Sequence, residues 1–187
     1  MDTKQHKYIQ KVSSLLYATI ITHPDTTKAA NRLAEFTINP GPDYIKAVNH
    51  TISYLFYTCH YMLEYSAPSR NSEEVFICTS DAAHGDLISW KSSEGYLCKL
   101  FNAAIDWQAS KQYIITTSTT EAELFAISKA GKSIFWWWCL FDSIGFNPEH
   151  DLLILCDNMQ TIDLLSKKDP QLQMKLCHVN IHHHWLH

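Results

Sequence analysis

Three acidic side chains stand where a layered α/β fold could gather them. Asp81 follows a short β-rich run at residues 75–79. Glu123 lies in the first turn of a long apolar-periodic segment that begins at Glu121. Asp157 directly follows a continuous apolar run at residues 152–156. Residues at strand ends and helix starts converge on the rim of a sheet, where sites usually form. Three carboxylates brought together repel one another and need a cation, and hard oxygen donors select Mg²⁺ or Mn²⁺. Two such ions about 3.5–4 Å apart can activate water and stabilise the leaving oxygen of an in-line phosphoryl displacement. The plainer reading is that each Asp forms a turn or caps a helix, and that Glu121 and Glu123 only compensate the helix dipole. Spacing alone leaves both readings open.

The elements that would position these residues follow from periodicity. Residues 8–22 place Tyr8, Val12, Leu15, Leu16 and Thr19 or Ile20 on one helical face. Pro24 stops that helix, because it lacks an amide donor and pushes residue 23 out of the α region. Asp25 is the expected cap of a second helix reaching about residue 37, with Ala29, Ala30, Leu33 and Phe36 inward. A third helix, near residues 43–56, turns Ile45, Val48, Ile52 and Leu55 or Phe56 to one side. After a polar, Pro-containing stretch at 66–74, strands are expected at 75–79, 95–101 and 104–107. The long helix runs from Glu121 to about Ile144, with Thr120 and Glu123 at capping-box spacing. The run 152–156 reads as a strand buried on both faces, and a helix from Asn158 to about Ser166 ends at Asp169-Pro170. The order is βββ-α-β-α behind an all-helical unit.

Other features have a functional and a structural reading. His178, His182, His183, His184 and His187, with Cys177, could hold Zn²⁺, or form a polar tail titrating near neutrality. Trp136-Trp137-Trp138 could stack nucleobases, but consecutive helical residues diverge by about 100° and cannot share one flat face. One or two core tryptophans with another partly exposed is the expectation. Lys129, Lys132, Lys167, Lys168 and Lys175 could touch phosphates or be solvated surface charges.

Composition bounds the rest. The chain has 187 residues, 46% hydrophobic and 12% aromatic, enough to bury a core and unlike a disordered chain. Five glycines without a fixed period exclude collagen-like arrays. The six cysteines lie singly without a CxxC pair, and read as reduced thiols. The start is polar, unlike a signal peptide. The longest apolar run, residues 134–141, falls far short of the roughly 20 that span a bilayer. No membrane association is expected, and the location is expected to be intracellular, cytoplasmic or nuclear. The net charge of -4 argues weakly against nucleic acid, whose binders usually carry a basic surplus.

Four ordered motifs bear on that argument: Ser80-Asp81-Ala82, then Lys91-Ser92-Ser93-Glu94-Gly95-Tyr96, then Ser118-Thr119-Thr120-Glu121-Ala122-Glu123, then Cys156-Asp157-Asn158. Together they resemble the RNase H domain that follows the reverse transcriptase in copia-type LTR retrotransposon polyproteins, whose patterns are roughly SDADWAGD, RKSTSGYVF, SSTEAEY and CDNQSA. The first helices resemble the segment linking polymerase to RNase H in the same polyproteins, through Leu15-Leu16-Tyr17, His23-Pro24-Asp25, Asn39-Pro40 and Tyr54-Leu55. The resemblance covers about residues 8–187. It implies an α/β fold, an RNase H-like mixed sheet with flanking helices, preceded by a small helical unit. The implied organisation is a helical connection segment at 1–65, a linker at 66–74 and an RNase H-like domain at 75–187.

What the resemblance implies about chemistry is specific. Asp81, Glu123 and Asp157 match the family's first three catalytic carboxylates, expected to hold two Mg²⁺ or Mn²⁺ ions that cut the RNA strand of an RNA–DNA hybrid. Glu121 is expected to be structural and Ser118 a helix cap. Reverse transcriptase or other polyprotein segments are the implied partners. No Tyr-x-Asp-Asp polymerase motif is present. The departures also have consequences. The first motif reads Asp81-Ala82-Ala83-His84-Gly85-Asp86, one residue shorter and without the tryptophan. Asn180 stands where the family has Asp, and the chain stops at His187 before the family's last strand and fourth Asp. A domain truncated at its C-terminus is therefore expected, with weakly bound metal and a strand edge open to self-association. The rival expectation is a catalytically inactive remnant or interaction module that retains the fold.

Overall fold

The computed structural model describes residues 3–65, 75–87, 89–147 and 153–165. The expected linker, the Asp169-Pro170 helix stop, Lys167, Lys168, Lys175 and the His-rich tail lie outside the described residues. The chain divides into two compact units, Met1–Glu64 with Gln108–Ser110, and Tyr65–Trp107 with the residues from Lys111 onward.

The first unit is helical. Helix α1 (Thr3–Ile21) starts ahead of its apolar stripe, because Lys4, Gln5 and Lys7 are good helix formers that need no burial. Its Tyr8, Val12 and Leu15 pack with Ala30 and Leu33 of α2 (Thr27–Ala34) and Val48 of α3 (Pro42–Tyr57). The Tyr8 hydroxyl donates to the Leu33 carbonyl at 2.8 Å, which satisfies its polar tip inside the core. Pro24 opens a 3₁₀ turn, Pro24–Thr26, rather than the second helix itself. Asp25 therefore sits inside that turn and caps nothing; its carboxylate accepts from the Tyr54 hydroxyl at 2.7 Å. On α2, Ala29 faces solvent, and Phe36, past the helix end, stacks on Tyr44 at 3.6 Å. On α3, Val48 and Thr51 are buried, while Ile52 and Phe56 are exposed, a narrower inner face than periodicity suggested.

The second unit is a four-stranded mixed sheet in the order β3-β2-β1-β4. Strand β1 (Phe76–Ala83) pairs antiparallel with β2 (Ser93–Leu100) and parallel with β4 (Leu153–Leu155). Between β2 and β3 (Ala103–Lys111) only Phe101 and Asn102 remain, at φ 49 and 66. A two-residue hairpin with both residues left-handed matches the right-handed twist of the strands. Reading Phe101 as strand missed that turn. Helix α4 (Thr119–Ser143) covers one face of the sheet, where Phe76, Cys78 and Cys98 meet Ala130, Ile134 and Phe141. Each large apolar side chain fully buried there contributes roughly 1.5–3 kcal/mol.

Two expectations about burial are corrected. Leu153 and Leu155 are 41% and 47% exposed while Ile154 packs inward. Alternation along β4 turns Ile154 to the face covered by α4 and Leu153 and Leu155 to the other, which nothing among the described residues buries. On α4, Trp136 and Trp138 are exposed and only Trp137 is half-buried. The turn of about 100° per residue leaves only Trp137 on the inward side, beside Phe141.

Helix α4 ends as its sequence dictates. Gly145 takes φ 70, its N–H bonds the Asp142 carbonyl at 3.1 Å, and the Phe146 N–H bonds the Phe141 carbonyl at 2.9 Å. With the Phe141 and Phe146 rings 5.2 Å apart, this is a Schellman stop with its hydrophobic contact. A short helix, α5 (Met159–Leu165), follows β4. The mixed sheet with α4 on one face is the RNase H-like α/β architecture expected. Among the described residues no helix is long and apolar enough to cross a membrane.

Candidate metal centre

Helix α4 brings Glu123 to the sheet by a locked first turn. Ser118 is its N-cap, and its Oγ accepts the Glu121 N–H at 3.1 Å. The buried Glu121 carboxylate reaches back to accept from the Thr117 N–H at 2.5 Å and the Thr117 hydroxyl at 2.9 Å. The cap is thus Ser118 on the Glu121 N–H, with the Glu121 carboxylate holding Thr117 before it, rather than Thr120 with Glu123. This leaves Glu123 uncommitted to capping and turned toward β1, where its Oε1 accepts the Ala82 N–H at 3.4 Å.

Asp81 lies within β1 rather than after it, since the strand continues to Ala83. It is exposed, and its cross-strand partner is Gly95, which has no side chain to cover it. Asp157 follows β4 and is exposed. The turn that presents it is fixed by Asn158, whose Oδ1 accepts the Thr161 N–H at 3.1 Å and whose N–H points to Cys156 Sγ at 3.5 Å.

Glu123, Cys156 and Asp157 each offer a donor atom within 4.8 Å of the others. The Cys156 thiol faces Glu123 Oε2 at 3.8 Å. Asp81 stands outside this tight group, yet its charge reaches Glu123. Burial pushes the Glu123 carboxyl above the usual range, and the charges of Asp81 and Asp157 push it further; the Ala82 N–H works the other way. Burial likewise raises the Cys156 thiol, reinforced by Glu123 and Asp157 and opposed by the Asn158 N–H. Glu123 is only 5% exposed, and among the described residues no cation partners it. A buried carboxylate in that state calls for a counter-charge. The donor set therefore fits a divalent cation held by Glu123 and Asp157, with Asp81 beside it.

A polar belt next to the site was not legible as such. The Ser92 hydroxyl contacts Thr116 Oγ1 at 2.7 Å and accepts the Gly85 N–H at 3.1 Å. The Gln112 side-chain amide donates to the Ala122 carbonyl at 2.9 Å. These bonds tie the turn after β1 and the segment before α4 together. His84 joins them through Thr116 at 3.1 Å, and Asp86 accepts from the Ser93 N–H and hydroxyl at 3.0 and 2.7 Å. Lys129, a candidate phosphate contact, pairs with Glu94 at 2.9 Å. Cys156 is the member of the metal group that sequence reasoning left aside; its place between the β4 run and Asp157 was the available signal.

No family model matches the chain. Over 180 residues, 96% of its length, it is 31% identical to the retrovirus-related Pol polyprotein from transposon TNT 1-94 of Nicotiana tabacum. Over 185 residues, 98% of its length, it is 27% identical to the corresponding polyprotein from transposon RE1 of Arabidopsis thaliana. The chain spans 13% and 12% of those two polyproteins. It is also 32% identical, over 134 residues, to a Plasmopara viticola protein named secreted RxLR effector protein 161, and covers 92% of it.

Proposed function

The chain belongs to the family that joins one segment of retrovirus-related transposon Pol polyproteins with the Plasmopara viticola protein, and on that premise we propose an activity for it. This retrotransposon-derived chain is a ribonuclease H-type hydrolase that cuts the RNA strand of RNA–DNA hybrids with Mg²⁺ or Mn²⁺. One observation carries the reading: buried Glu123 meets Asp157 at the end of β4, close enough to Asp81 to feel its charge.

Glu123 and Asp157 would hold the cation, and Asp81 would add its carboxylate from the neighbouring strand. When bound, divalent ions supply an activated water and charge stabilisation at the leaving oxygen. The rest is the work of the chain. Ser118 and Glu121 fix the first turn of α4, the Ala82 N–H orients the Glu123 carboxylate, and Asn158 sets the turn bearing Asp157. The exposure of Asp81 and Asp157 leaves one side of the group open to a phosphodiester. An RNA–DNA hybrid is the proposed substrate, with reverse transcriptase or other polyprotein segments as partners.

The exposure of Asp81 outside the tight group favours a second reading, a fold-retaining module without turnover. Incubating the purified chain with labelled hybrid and Mg²⁺ or Mn²⁺, beside Asp157→Asn, separates the two. Cleavage lost on substitution supports the hydrolase; no cleavage with either ion leaves the module.

A further inference from the structure

The Glu123–Asp157 pair has a neighbour that oxygen-ligated Mg²⁺ does not call for. Cys156 places its Sγ in the same 4.8 Å group. Carboxylate oxygens suit Mg²⁺ and Mn²⁺, whereas a thiolate favours zinc and softer ions. Zinc binds sulfur at about 2.3 Å and carboxylate oxygen at about 2.0–2.2 Å, so tetrahedral donors around one ion stand roughly 3.5 Å apart. The separation of Cys156 Sγ and Glu123 Oε2, 3.8 Å, is close to that spacing before any ion draws them in. Glu123 is more than nine-tenths buried, its Oε1 accepting the long Ala82 bond and its Oε2 facing the thiol, and among the described residues no cation offsets its charge.

We propose that Cys156, Glu123 and Asp157 form a site for a thiophilic divalent cation of the zinc class, held more tightly than Mg²⁺. The inference rests on the reading above for the two carboxylates and departs from it on the metal. On binding, the Cys156 S–H bond breaks, a sulfur–metal bond forms, and the proton passes to solvent. Three protein donors leave a fourth tetrahedral position open. Such an ion competes with Mg²⁺ for Glu123 and Asp157, and so inhibits the Mg²⁺-dependent reaction.

The test is a Cd²⁺ titration of the full chain with Cys59, Cys139 and Cys177 each changed to Ser, followed by the ultraviolet thiolate-to-cadmium absorption. Of the remaining thiols, Cys78 and Cys98 are fully buried in the sheet core. Histidine binding in the tail adds no sulfur band. The band is expected to saturate at one Cd²⁺ per chain and to vanish in Cys156→Ser. In Asp157→Asn, affinity falls at least about tenfold. Zn²⁺ displaces the Cd²⁺ and a large excess of Mg²⁺ does not. Circular dichroism of each variant shows that the fold is kept. A band that never forms, that survives Cys156→Ser, or that Mg²⁺ removes overturns the proposal. The band reads the cation and not hydrolysis. If it fails while hybrid cleavage persists, only this inference falls; if it behaves as expected and no cleavage occurs, only the nuclease reading falls.

Discussion

Glu123 Oε1 accepts the backbone N–H of Ala82 at 3.4 Å, which joins the first turn of α4 to β1 one residue from Asp81. The bond is long, and it offsets only part of what burial costs the carboxylate. Three acids are thereby held in one neighbourhood by a sheet, a helix and a turn.

The contribution of Glu123 to stability without metal should fall as pH rises across the acid range. Burial, with the charges of Asp81 and Asp157, raises the Glu123 pKa in the folded chain above its unfolded value. The folded state then binds the proton more tightly, and its advantage is complete below the ordinary Glu value of about 4.3. That advantage is lost as pH climbs through the raised value. Thermal melts across this window should show the native chain losing stability relative to Glu123→Gln as pH rises. Equal slopes in the two would contradict the assignment.

Removing the cap should loosen the site's helix. Ser118→Ala deletes the acceptor of the Glu121 N–H and is expected to lower stability by about 1 kcal/mol in urea denaturation. Ser118→Gly should lose only a few tenths of that, about 0.3 kcal/mol. If the two variants unfold at the native midpoint, the Ser118 cap on the Glu121 N–H is not stabilising the helix.

Asp106 is the polar anchor between β3 and α4. Its Oδ2 accepts from the Ser133 hydroxyl and from the Trp137 indole N–H at 3.2 Å, with the Tyr96 hydroxyl at 3.4 Å. Burial pushes the Tyr96 phenol up to about 12, with the Asp106 charge adding to it. Asp106→Ala strands these donors and should cost about 2 kcal/mol, read by denaturation with Trp fluorescence. The Tyr96 titration should fall in Asp106→Asn by the share the Asp106 charge adds, while burial still holds it above the ordinary tyrosine range. An unmoved titration would show that Asp106 does not act on Tyr96.

The sequence exposed part of the site's skeleton because two of its acids sit at a period break: Glu123 where an apolar helix begins, Asp157 where an apolar strand ends. What it concealed depended on neighbours distant along the chain. Leu153 and Leu155 read as doubly buried because an apolar run does not state whether one face of its strand or both will be covered. Asp25 was read as a cap from its place after Pro24; Tyr54, 29 residues on, claims it instead. The Phe101-Asn102 turn escaped notice because Phe is an unusual residue at positive φ. Cys156 read only as a reduced thiol beside Asp157, since its approach to Glu123 depends on the fold.

The most direct test is hydrolysis of a labelled RNA–DNA hybrid by the purified chain in Mg²⁺ or Mn²⁺, with Asp157→Asn alongside. The account predicts cleavage of the RNA strand that disappears when metal is chelated and falls by at least about a hundredfold in Asp157→Asn. Cleavage that persists unchanged in Asp157→Asn, or no cleavage by the native chain with either ion, would contradict it.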